Sequence, residues 1–67
     1  MNVSEQDFRF MVNSLAAELI EMIVEDRGVD YLTAAEILYR SELYEKLENP
    51  STRLYFQSAG YVYSYLQ

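Results

Sequence analysis

Between Glu5 and Arg27 the apolar positions Phe8, Met11, Val12, Leu15, Leu19, Met22 and Ile23 recur every three to four residues, the period of one helix face. Phe10, Ala16, Ala17, Ile20 and Val24 widen that stripe, so the helix predicted here is covered on more than one side. Its ends are marked as clearly as its face. Ser4 followed three residues later by Asp7 is an N-terminal capping signal. Arg27 complements the negative end of the helix dipole, and Gly28 suits the left-handed residue that closes a helix.

The next stretch is less regular. Residues 28–32 read as a turn with Val29 and Tyr31 tucked inward. Thr33-Ala34-Ala35-Glu36 has the form of a capping box, and Leu32 with Ile37 fits the hydrophobic staple around it, which places the start of a second helix at Thr33. The apolar phase then slips. Ala34, Ile37 and Leu38 define one face whose next turns fall on Ser41 and Glu45, while Leu43, Tyr44 and Leu47 define a face displaced by a residue or two. Ser41 before Glu42 is a further N-cap with an acid in its first turn. The pattern predicts a kinked helix or two short ones, near 34–40 and 42–48, ending before Asn49-Pro50.

Beyond that, Asn49-Pro50-Ser51-Thr52 is a turn and Leu54-Tyr55-Phe56 a short apolar cluster. Ser58 can cap a last helix with Tyr61 and Tyr65 on one face and Val62 and Leu66 on the next. The competing form is a β-hairpin, because residues 61–66 have high strand propensity and Ser58-Ala59-Gly60 can turn. An isolated two-stranded hairpin is marginal, and docking on a helical body favours the helix. The expected fold is all-α, a small three-helix bundle with a kinked or split second helix, in one domain spanning 1–67; helices plus a C-terminal β-hairpin is the alternative. The segment Leu54-Tyr55-Phe56-Gln57-Ser58 matches the end of an engineered protease-cleavage tag, but Thr52 and Arg53 depart from that tag, and the segment reads as native.

Composition narrows what such a domain can do. A chain of 67 residues has a small core, yet 51% of it is hydrophobic and it carries seven tyrosines. With no Cys and no His, disulfide and Cys/His zinc staples are excluded, and oligomerisation becomes the expected source of extra stability. Glu18, Glu21 and Arg40 interrupt the apolar runs far short of the roughly 20 apolar residues a bilayer span needs. The N-terminus has no basic region leading into an apolar one, so no signal peptide and no membrane are expected, and a cytoplasmic location follows as the default.

The formal charge is −6, and Arg9, Arg27, Arg40, Lys46 and Arg53 are scattered, three of them four residues after a glutamate, in the pairs Glu5–Arg9, Glu36–Arg40 and Glu42–Lys46. That distribution argues against nucleic acid as a partner.

Catalytic equipment is sparse. A general base would have to be Asp or Glu, Gly28 and Gly60 are isolated rather than part of a phosphate loop, and Ser4, Ser41 and Ser58 are spoken for as caps. Glu18, Glu21 and Glu25 form the best carboxylate group, but the loop 25–30 lacks the alternating ligands of a calcium loop and holds Arg27 in its middle; a solvated helix face is the reading. The chain is therefore read as a non-enzyme without cofactor or metal.

From Tyr39 to Tyr63 the chain shows the layout Ser-x-x-Tyr-x-x-Leu, then Pro-x-Thr-x-Leu-Tyr-x-x-Ser, then Tyr-Val-Tyr, carried by Ser41, Tyr44, Leu47, Pro50, Thr52, Leu54, Tyr55, Ser58, Tyr61, Val62 and Tyr63. This layout resembles a group of short, uncharacterised bacterial helical proteins, some encoded beside genes of toxin–antitoxin type. The resemblance implies a bacterial cytosolic origin and a helical tail, and supplies no catalytic residues.

The excess of apolar and tyrosine surface points to protein binding, by a homo-oligomer, most simply a dimer, or with a neighbouring gene's product. The candidate interface residues are Phe8, Met11, Leu15, Tyr44, Tyr55, Tyr61 and Tyr65. The alternative is an acidic, antitoxin-like inhibitor that masks a basic partner protein, and a third reading is a carboxylate metal site or enzyme.

Overall fold

A computed structural model of the chain describes residues 4–66. Its spine is α1, Glu5–Arg27, and 23 residues at 1.5 Å each account for most of the 38 Å long axis of the molecule. The Ser4 hydroxyl accepts the Asp7 N–H at 3.1 Å, and Gly28 closes the helix at φ 65°, where its N–H returns to the Val24 carbonyl. These are the terminal donors and acceptors that a helix cannot satisfy by itself.

The second helix, α2, spans Tyr31–Tyr39 and starts earlier than the capping box suggests. Its cap is Asp30, whose carboxylate accepts the Thr33 N–H at 2.8 Å. Thr33 is thus the third helical residue and not the cap. Asp30 holds the stronger hand because it is a charged acceptor and lies just beyond the left-handed turn at Gly28, so the chain re-enters a helix at once. Thr33, through its side chain first and this N–H second, holds the Asp30 carboxyl below its ordinary range. One consequence is that Tyr31 is exposed and not tucked inward, while Val29 is partly buried against the core.

Two helices, not one kinked helix, cover the following stretch. Ser41 separates α2 from α3, Glu42–Leu47: its hydroxyl donates to the Leu38 carbonyl at 2.6 Å and accepts the Tyr44 N–H at 3.2 Å. Two 3-10 turns follow, Pro50–Thr52 and Leu54–Phe56, joined at Arg53, which adopts φ 61° in the left-handed region. The Thr52 hydroxyl donates to the Lys46 carbonyl at 2.7 Å and ties the first turn to the end of α3. Ser58 then caps α4, Ala59–Tyr63, accepting the Tyr61 N–H at 3.3 Å. No strand occurs among the described residues, so the hairpin alternative is not what forms, and four α-helices stand there, two of them, α2 and α3, covering the stretch expected as one kinked or split helix.

The core runs along one side of α1. Val12, Leu15, Ala16, Leu19, Ile20 and Ile23 face Ala34 and Leu38 of α2, Leu43 and Leu47 of α3, Leu54 and Tyr55 of the second 3-10 turn, and Val62 and Tyr63 of α4. α2 folds back along α1, and α4 packs against α1 on its other flank, where Tyr63 donates to the Asp26 carboxylate at 2.8 Å. Each large apolar side chain sealed in this way contributes about 1.5–3 kcal/mol, which is how so short a chain sustains an interior. No described helix is long and apolar enough to cross a membrane.

The three helix-surface pairs expected from the sequence do not form among the described residues. Arg9 instead reaches across the fold to Glu48, in a bidentate pair with Nη1 to Oε2 at 2.8 Å and Nη2 to Oε1 at 2.6 Å. A planar guanidinium matched to a carboxylate at the end of a neighbouring helix outcompetes a flexible Glu5 on the same helix.

Candidate protein-binding face

The seven candidate interface residues fall in three places and not on one surface. Leu15 and Tyr55 lie in the interior. Leu15 is part of the stripe that α1 turns to its neighbours, and Tyr55 is drawn in by the second 3-10 turn. Phe8 is half-buried with its ring edge-on to Tyr55 at 4.9 Å; Tyr55 stacks on Phe56 at 4.5 Å, and the Arg9 guanidinium lies 5.7 Å from the Phe8 ring centre. Met11 is half-buried against the core, and Tyr44 packs edge-on to Tyr39 at 4.8 Å. Tyr61 and Tyr65 are exposed one turn apart, with their hydroxyls 2.9 Å from each other. Most of the tyrosine-rich tail is thus occupied with its own chain.

The most exposed large apolar side chains lie elsewhere. Phe10 is 71% exposed, Leu32 72%, Tyr31 57% and Tyr39 52%. Helical geometry shows how the four are related. Turning round α1 away from the core at 100° per residue, buried Ile20 is followed by the exposed polar Asn13 and Gln6 and by the apolar Val24, Ala17 and Phe10, the last three seven residues apart and on one line. Turning round α2 from Leu38, the order is Tyr31, Ala35, Tyr39 and Leu32. Two right-handed helices that run in opposite directions turn in opposite senses when viewed end-on. Both series therefore emerge on the same side of the hairpin, flanking its seam.

The sequence holds a signal for this face in the spacings Phe10–Ala17–Val24 and Leu32–Ala35–Tyr39. It is hidden because the same residues also extend the core stripe. Phe10 and Ala17 widen the apolar arc of α1 without entering the interior, and Leu32, assigned to a staple at a cap that does not form there, is free of that role.

Charge frames the face. Glu21 lies four residues after Ala17 and three before Val24, and Glu36 stands in the same relation to Leu32 and Tyr39. Both are exposed, and among the described residues neither has an ionic partner within 4.0 Å. Arg9, by contrast, is committed: its guanidinium, with the Tyr44 hydroxyl nearby, holds the Glu48 carboxyl at about 2, and burial pushes the Tyr44 phenol up to about 12. Glu18, Glu21 and Glu25 also border a hollow with Met22 and Ala59, but no three carboxylates among the described residues converge as metal ligands would.

No protein-family model, curated protein or solved structure matches the chain.

Proposed function

We propose that this chain is a small cytoplasmic protein-binding module, without catalytic activity of its own, that acts by burying the outer face of the α1–α2 hairpin against another polypeptide. The single observation behind the reading is the exposure of Phe10, Tyr31, Leu32 and Tyr39, which helical periodicity assigns to one side of α1 and α2. Aromatic rings of this size each bury about 150–250 Å² when fully covered. At their present exposures the four side chains leave on the order of 500 Å² bare, at the upper end of what a monomer keeps without a use for it. With the polar rim any interface carries, this corresponds to a standard partner footprint of about 800 Å².

The occupant can be a second copy or a different protein, such as a neighbouring gene's product. The net charge of −6 and the exposed glutamates beside the face support the form of this reading in which the chain inhibits a basic protein. Light scattering on the purified chain, together with co-purification of the adjacent gene's product, tests the reading. Binding of either kind that is lost on Leu32→Asp supports it. A strict monomer that holds no partner with its outer face intact argues against it.

A further inference from the structure

The outer face of the α1–α2 hairpin carries more information than its hydrophobicity. Its apolar line is interrupted by Glu21 on the α1 side and bordered by Glu36 on the α2 side, both exposed and neither in an ion pair among the described residues. The small side chains Ala17 and Ala35 lie in the middle of the strip, between the larger Phe10, Leu32 and Tyr39. A strip of large, small and large side chains along two packed helices offers a shallow seat for one helix laid lengthwise.

We infer that the occupant of this seat is an amphipathic helix of a different protein, with an apolar stripe flanked by Lys or Arg, and not a second copy of this chain. This rests on the protein-binding reading above and narrows it by charge complementarity. A second copy would bring its own Glu21 and Glu36 to the rim of an already acidic face, in a chain with eleven acidic residues to five basic ones. Like charges brought together at a rim select against that partner. A basic flank turns the same glutamates into attraction at each edge of the strip. Burial along Phe10, Leu32 and Tyr39 then supplies the affinity, and the glutamates supply the choice of partner.

The test uses the whole chain and two synthetic amphipathic peptides of equal length with the same leucine stripe, one flanked by lysines and one by glutamates, followed by fluorescence anisotropy at low and high salt. The lysine-flanked peptide is expected to bind, more weakly at high salt, and the glutamate-flanked one not to bind. Leu32→Asp is the decisive variant because it adds negative charge while removing apolar surface. It is expected to weaken the lysine-flanked peptide by at least about tenfold, the loss of one anchoring contact. The pair Glu21→Lys and Glu36→Lys is expected to weaken it by a similar factor.

An acid in the first turn of α2 favours the helix, so Leu32→Asp retains the fold; Phe10→Ser gives an independent check, and circular dichroism verifies both. Binding unchanged or tightened by Leu32→Asp would show attraction by charge alone and overturn the inference, as would equal binding of both peptides. A concentration-dependent dimer that Leu32→Asp dissociates would assign the face to a second copy, overturning the inference while leaving the protein-binding reading intact. A strict monomer that takes neither peptide would remove both.

Discussion

Leu38 and Leu32 sit on the same nine-residue helix, yet the first is fully sealed and the second is the most exposed large apolar side chain among the described residues. Leu19 and Phe10 repeat the contrast on α1. The inner and outer faces of this hairpin are built from the same residue types, so hydrophobicity alone does not separate core from binding surface. Coverage does: the inner face meets α3, the second 3-10 turn and α4, whereas the large side chains of the outer face stay more than half exposed, even Tyr39 with its ring edge-on to Tyr44 of α3. A face left bare in this way retains its free energy of burial for something outside the chain.

Paired truncations on the two faces give the sharpest way to break that contrast. Leu19→Ala is expected to cost about 2–5 kcal/mol, a large share of what a domain of this length has, and to shift the urea midpoint accordingly or leave the chain unfolded. A cost below about 1 kcal/mol would mean that the inner face is not the core. The ion pair that fastens α1 to the end of α3 responds to acid. Glu48 titrates at about 2 against an ordinary 4.5, so its contribution is complete above about pH 4.5 and is lost as the pH falls from there toward 2. Acid unfolding of Glu48→Gln is expected to be flatter across that window, and an unchanged acid limb would count against the clamp.

The hairpin's turn is a smaller lever. Asp30→Ala removes the α2 cap and is expected to cost about 1 kcal/mol, and Gly28→Ala about 1–2 kcal/mol for forcing a Cβ into the left-handed region. Both are read from thermal or urea unfolding. If Asp30→Ala is silent while Thr33→Ala is not, the cap lies where the sequence motif put it. At the bottom of the scale, Leu32→Ala on the outer face is expected to change stability by less than about 0.5 kcal/mol, since it uncovers nothing. A loss comparable to Leu19→Ala would show that the outer face is covered in the protein in solution, which a light-scattering measurement on the same sample would attribute to self-association.

Legibility of the fold followed the length of each element. α1 was readable because 23 residues give several turns in which a period can repeat, and its caps, Ser4 and Gly28, are local features. Ser41 and Ser58 were readable for the same local reason. The Asp30 cap was not, because a capping-box pattern at Thr33 competed with it three residues on, and the choice depends on how sharply Gly28 turns the chain. The left-handed Arg53 carries no local signal at all. Of the candidate interface, Tyr61 and Tyr65 were placed where they stand exposed, whereas Leu15 and Tyr55 went to the interior and Phe10, Tyr31, Leu32 and Tyr39 were passed over.

What the sequence determined by itself was therefore the helical class, the long capped spine, the break at Ser41 and the acidic, cysteine- and histidine-free chemistry, because each depends on neighbours within a turn or on composition. Which apolar arc of α1 became interior, which glutamate Arg9 would hold, and which tyrosines would be drawn inward were decided only when α2, α3 and α4 closed on the spine. Those outcomes depend on partners far along the chain, 39 positions away in the case of Arg9 and Glu48, and a local pattern has no means of ranking such partners. The outer face of the hairpin belongs to the same class, since a surface is defined by what fails to cover it.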